Sequence, residues 1–183
     1  MYAFLADALE NGAGFSTHLE DPRIVDDYMG TVGTYLKKLQ AEEHAGVCTS
    51  SCPRCLRDYS NIAYHSLLDW RLAGDLLTAL SGERFAPSAG RARRSLSALK
   101  NLHKGDYLDA DMPGLTFNVR GRPHAVVAKH PLHACEQDLV SADLQSSLDA
   151  ALKHTQDAGR VIVADWFTLE KSPIQIIERL RTS

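Results

Sequence analysis

Residues 44–77 read HAGVCTSSCPRCLRDYSNIAYHSLLDWRLAGDLL, and this stretch organises the chain. Three of the four cysteines, Cys48, Cys52 and Cys55, fall within eight residues of one another, with His44 four before the first and His65 ten after the last. A thiolate is a soft, charged donor that suits Zn²⁺, and a tetrahedral site takes four N or S donors. Cys52-Pro53-Arg54-Cys55 has the C-x-x-C spacing that lets two sulfurs from one tight turn reach one metal, and Cys48 sits one turn earlier. Three sulfurs are therefore in place and one more donor is needed. His44 has the best local spacing, since H-x3-C-x3-C-x2-C closes a Cys3His site within twelve residues. His65, Cys135 and, less well, Asp58 are alternatives, Cys135 being the best donor chemically but remote in sequence. The expected cofactor is Zn²⁺, and a fully occupied Cys3His site is closed, so it contributes folding energy instead of chemistry.

A resemblance rests on the same residues. The run Cys48-x3-Cys52-Pro-Arg-Cys55-Leu-Arg-Asp-Tyr, then Asn61, His65 and Leu67-Leu-Asp-Trp-Arg-Leu-Ala73, with the earlier Asp7 and Asn11-Gly-Ala-Gly-Phe15, resembles the DUF1998 domain. That domain is the cysteine-rich C-terminal module of superfamily-2 helicases of the mitomycin-repair family and of helicase-associated proteins in phage-defence systems such as DISARM. His130-Pro-Leu and Ala164-Asp-Trp-Phe167 match weakly, so the resemblance is specific over roughly residues 1–80 and faint beyond. Several relatives carry a fourth cysteine in the cluster; its absence here is what leaves the fourth ligand open. The resemblance implies work in DNA repair or anti-phage defence beside a helicase/ATPase, fused or separately encoded.

At 183 residues the chain can build one core, or one core with a small appended unit. A net charge of −3 argues against bulk attraction to nucleic acid, so any DNA contact must come from a local patch. No apolar run approaches the roughly 20 residues a membrane helix needs. The first residues, Met1-Tyr-Ala-Phe-Leu-Ala-Asp7, lack a basic n-region, and clustered cysteines without a signal favour metal over disulfide in a reducing cytoplasm. There is no P-loop and no helicase motor motif, so any engine must lie elsewhere.

Taken in order, residues 2–9 read as a buried strand ending in the glycine turn of residues 10–14, with Ser16 or Thr17 as the N-cap of the next element. Residues 21–40 carry an apolar stripe at Ile24, Val25, Tyr28, Val32, Tyr35, Leu36 and Leu39 and predict a helix in which Gly30 and Gly33 either weaken the middle or mark close packing. Residues 61–80 predict one continuous helix with Arg71 and Asp75 four apart and able to pair. Residues 81–89 read as a linker, which divides the chain into a cysteine-rich unit, 1–82, and an α/β unit, 83–183, unless the two form one continuous domain. Residues 88–103 predict a helix showing Arg91, Arg94, Lys100 and Lys104 to solvent, and residues 105–114 an acidic loop. Two strands, 115–120 and 124–129, are expected around a Gly-Arg-Pro turn, then a helix ending before Gly159, a core strand over 161–164 and a last helix from Pro173. The expected fold class is therefore α/β, a sheet with packed helices and a zinc-binding loop between two helices.

The nucleic-acid candidates are Arg91, Arg93, Arg94, Lys100 and Lys104 of the basic helix, with Arg54 and Arg57 of the cysteine loop. The function expected is a non-catalytic zinc-binding accessory subunit or domain of a DNA helicase. A metal-dependent nuclease is the enzymatic alternative. It needs paired carboxylates and a lysine on adjacent strands, and Asp165, Glu170 and Lys171 supply only part of that pattern, because neighbouring strand residues point to opposite sides. A purely structural assembly protein is the third reading. His124, His130 and His133 read as loop or core histidines, and Trp70 as core.

Overall fold

A computed structural model of the protein describes residues 15–83, 87–108, 111–133, 141–156 and 159–181. The strand expected over residues 2–9, its glycine turn and Cys135 lie outside these. The chain divides into two compact units, residues 1–85 and 86–183.

The first unit is helical. After α1 (Phe15–His18) comes α2 (Pro22–Leu39), started by Asp21, whose carboxylate accepts from the Arg23 amide at 3.0 Å, and by a proline in its first turn. Only the C-terminal end of its apolar stripe, Leu36 and Leu39, is fully buried, while Ile24 and Tyr28 are exposed. Gly33 faces the later helix α4: a methyl group there would stand 3.3 Å from Leu77 Cδ2. The short α3 (Glu42–Ala45) leads into the cysteine loop, a 3₁₀ turn over Tyr59–Tyr64, and α4 (Trp70–Leu80).

The continuous helix expected over residues 61–80 is thus two pieces. Asp58 and Asn61 form a reciprocal capping box that starts the 3₁₀ turn, and Asn61 itself is non-helical. Asp69 then starts a new helix by accepting from the amides of Arg71 and Leu72, at 3.0 and 3.1 Å. Both interruptions come from short polar side chains that compete for backbone groups. Ile62 and Leu67 are left exposed.

The second unit opens with α5 (Ala89–His103), capped by Ser88 and closed by Lys104 in the left-handed region. The strands β1 (Asp106–Tyr107), β2 (Gly114–Val119), β3 (Arg122–Lys129) and β4 (Val161–Asp165) form a sheet in that order. β1, β2 and β3 are antiparallel neighbours; β4 lies parallel to β3 after a crossover through α6 (Ala142–Thr155). The helices α7 (Trp166–Lys171) and α8 (Pro173–Arg181) end the chain. β1 falls within the stretch expected to be loop.

The β2–β3 turn is also displaced from its expected place. Arg120 and Gly121, both at positive φ (52° and 78°), make a two-residue hairpin turn, and Arg122 and Pro123 already belong to β3. Residues 124–128 of β3 are all buried, which requires cover on both faces. Ala125 and Val127 pack with Leu144 and Ala151 of α6. On the other face, Phe117 of β2 stacks on His103 of α5, ring centroids 5.0 Å apart. Gly159, before β4, is required by space, since a Cβ there would fall on the Pro123 carbonyl. No helix among the described residues is long and apolar enough to cross a membrane.

Candidate metal centre

The imidazole of His44 and the thiols of Cys48, Cys52 and Cys55 converge, their donor atoms all within 4.8 Å of one another. Among the described residues this is the one grouping of metal-ligating side chains, and it can hold a metal ion. Cys48 Sγ lies 3.8 Å from Cys55 Sγ, and Cys52 Sγ lies 3.6 Å from His44 Nε2. Each donor has a local cause. His44 rides on α3, and the Cys48 amide donates to the His44 carbonyl at 2.9 Å, one helical step that carries the chain from imidazole to first thiol. The Cys52 amide donates to Cys55 Sγ at 3.0 Å, closing the C-x-x-C turn.

A shell of side chains holds these donors. His44 Nδ1 lies 2.9 Å from the Leu39 carbonyl, a contact that holds the ring with Nε2 toward the thiols. Trp70, buried at the start of α4, donates its indole N–H to the Cys48 carbonyl at 3.3 Å. Arg71 donates to the carbonyls of Ala45 (2.7 Å), Cys48 (3.1 Å) and Thr49 (3.2 Å), and its guanidinium lies over the Trp70 ring. Arg71 therefore ties α4 to the loop. Tyr35 of α2 donates to the Cys55 carbonyl at 2.8 Å. The roles of Tyr35 and Arg71 had no local signal, because each joins segments some twenty residues apart.

The thiols differ in acidity. Burial first, then hydrogen bonds to Cys52 and Cys55, push Cys48 up to about 11. Burial acts to raise Cys52 as well, but the His44 ring, the Arg54 amide and the other sulfurs outweigh it and bring that thiol down to about 6. Burial and the charges of Cys55 and Cys52 raise the Tyr35 phenol.

Of the rival fourth donors, Cys135 lies outside the described residues, and His65 and Asp58 have other partners. His65 Nε2 lies 2.9 Å from Asn61 Oδ1 and 3.0 Å from the Asp58 carbonyl, within the 3₁₀ cap. The Asp58 carboxylate accepts from the Ser60 amide and hydroxyl, which lowers its pKa.

The basic residues fare differently from one another. Arg91, expected at the solvent, is buried at 6% exposure, 3.2 Å from Glu170 and over the Trp166 ring. The physical reason is that α7 packs on that face of α5. Arg93, Arg94 and Lys104 are exposed and Lys100 is half-buried. Arg54 is exposed, whereas Arg57 donates to Ser51 Oγ at 2.9 Å.

The nuclease residues are not gathered. Asp165 caps α7 by accepting from the Thr168 amide and hydroxyl, and Glu170 is paired with Arg91. The adjacent strands β2 (GLTFNV) and β3 (RPHAVVAK) contain no Asp or Glu. His124 accepts from the Arg160 amide at 3.1 Å and its pKa is lowered by burial; His130 accepts from the Leu132 amide at 3.0 Å and packs edge-on to Trp166. Both tryptophans are buried, Trp70 at 3% and Trp166 at 1% exposure, so neither offers a stacking face. In comparisons with known proteins, no family model, no curated protein and no solved structure matches the chain.

Proposed function

We propose that this chain is a non-catalytic zinc-binding accessory subunit or domain of a DNA helicase/ATPase, acting in DNA repair or anti-phage defence. The observation that carries the zinc reading is the shape of the His44–Cys48–Cys52–Cys55 cluster. Metal–sulfur bonds of about 2.3 Å and a metal–nitrogen bond of about 2.0–2.1 Å at tetrahedral angles require S···S edges of about 3.8 Å and S···N edges of about 3.6 Å. Two of the six separations, Cys48–Cys55 and Cys52–His44, are 3.8 and 3.6 Å, and all four donor atoms lie within 4.8 Å of one another. Three thiolates with one imidazole suit Zn²⁺, and four protein donors leave no position for a reacting water. The ion would clamp α3, the loop and the start of α4 together.

The helicase association rests on the resemblance of the cysteine loop to DUF1998. The non-catalytic reading is supported by the closed donor set and by the engagement of Asp165 and Glu170 in capping and ion pairing. Exposed cations of α5 supply the DNA contact.

Metal content per chain tests the centre. One zinc is expected in the wild type and in His65→Ala, and little or none in His44→Ala. Wild type without metal defeats the zinc reading, and His44→Ala with a full complement defeats His44 as the fourth ligand. Affinity purification of the tagged chain from its native cells tests the rest: a superfamily-2 helicase should co-purify, and its absence from every purification would overturn the accessory role.

A further inference from the structure

Arg93 and Lys100 of α5 both rest on one aromatic ring. The Arg93 guanidinium carbon is 5.2 Å, and Lys100 Nζ 4.7 Å, from the centroid of Tyr107 on the edge strand β1. The Tyr107 hydroxyl donates to the Arg93 carbonyl at 3.4 Å, and Lys100 Nζ donates to the Gly105 carbonyl at 3.2 Å, so ring and cations are held from both sides. Seven residues are two helical turns, which puts Arg93 and Lys100 on one face about 10.5 Å apart along the axis. Lys104 closes the helix one turn further on.

Two like charges drawn to one ring repel each other, and a carboxylate between them would relieve this. Arg91, two residues before Arg93, has such a partner in Glu170. Among the described residues no ion pair is formed by Arg93, Lys100 or Lys104. The quadrupole of Tyr107 holds the two cations in place without neutralising them. Two cations ordered on one face of α5, with Lys104 following in the next turn, suit a ligand carrying spaced negative charge.

We infer that Arg93, Lys100 and Lys104 form a track for the phosphodiester backbone of a nucleic acid, read without regard to base sequence, with Tyr107 as the positioning residue. This rests on the DNA contact proposed above and assigns it to one face of α5, leaving out Arg91, which is buried, and Arg94, which lies about a quarter-turn or more from the track.

The test is fluorescence-anisotropy titration of the full chain with a random-sequence duplex and with a random single strand, each over a series of salt concentrations. Three phosphate contacts give a slope of log affinity on log salt of about −2.7 for the duplex or about −2.1 for the single strand, and the arm that obeys its slope names the ligand form. Arg93→Glu with Lys100→Glu should weaken binding about tenfold or more and flatten the slope. Tyr107→Leu should weaken binding several-fold, and Tyr107→Phe should restore it, because the ring and not the hydroxyl orders the cations. Equal weakening by Tyr107→Phe and Tyr107→Leu would overturn the positioning role. Binding unchanged by the double reversal but lost in Arg54→Glu would overturn the track and spare the DNA reading. No binding of either nucleic acid at low salt would overturn both.

Discussion

Cys48 and Cys52 stand four residues apart, yet their environments push their acidities in opposite directions, to about 11 and about 6. Nucleophilic thiolate dominates at neutral pH only for a thiol whose pKa lies below it. In chain stripped of metal at pH 7, iodoacetamide should therefore label Cys52 well before Cys48, and metal should protect both. Peptide mapping after brief labelling reads this directly; Cys48 labelled first would contradict the assigned environments. Proton competition has a definite sign as well. Three thiolates and a neutral imidazole are needed for ligation, so metal affinity falls as pH falls. The three thiols were legible in the sequence because covalent geometry alone brings such short spacings together. His44 was the leading choice for the same reason, but preferring it to His65 required seeing His65 inside the Asp58–Asn61 cap.

The elements show where local chemistry overrides periodicity. The apolar pattern from Ile62 to Leu80 continues across Asp69, and a helix drawn from that pattern runs straight through it. The Asp69 carboxylate holds the amides of Arg71 and Leu72 and starts α4 afresh, so Trp70 and Arg71 stand at a helix start where they can reach back to the loop carbonyls. The β2–β3 hairpin carries a different tension. Arg120 adopts φ 52°, a conformation that costs an ordinary L residue roughly 1 kcal/mol and that asparagine tolerates. Arg120→Asn should therefore stabilise the hairpin by about 1 kcal/mol, seen as a rise of about 4–8 °C in the thermal transition of the second unit. An unchanged or lower midpoint would argue against the two-residue turn.

At the scale of the molecule, the two units differ in what holds them together. The core of the first is small, with Leu36, Leu39, Cys48 and Trp70 at its centre and Cys52 and Cys55 packed against it. One of its four central residues, Cys48, is a candidate ligand, so a metal held there would cross-link the core to Cys52 and Cys55. The second unit has its own sheet, covered on both faces, and among the described residues no metal-ligating cluster. Calorimetry of the full chain with a strong chelator and reductant should show one transition shifted down or lost and the other unmoved. Two transitions moving together would mean that the units do not melt independently.

Read alone, the sequence determined the α/β class, the loop of candidate ligands between helices, and the presence of the strands near 115–120, 124–129 and 161–164, although the last, expected in the core, is the half-buried edge strand β4 and the buried central one is β3. Each of these depends on residues close together in the chain, through ligand spacing, hydrophobic period or an unbroken apolar run. Tertiary structure alone decided which histidine faces the thiols, that α4 begins at Trp70 and reaches back to the loop, that Arg91 is buried against Glu170, and that Asp165 and Glu170 serve capping and ion pairing. A charged residue on a helix looks exposed until another element covers it. The element that covers Arg91 arrives 79 residues later, at a separation over which no sequence period carries information.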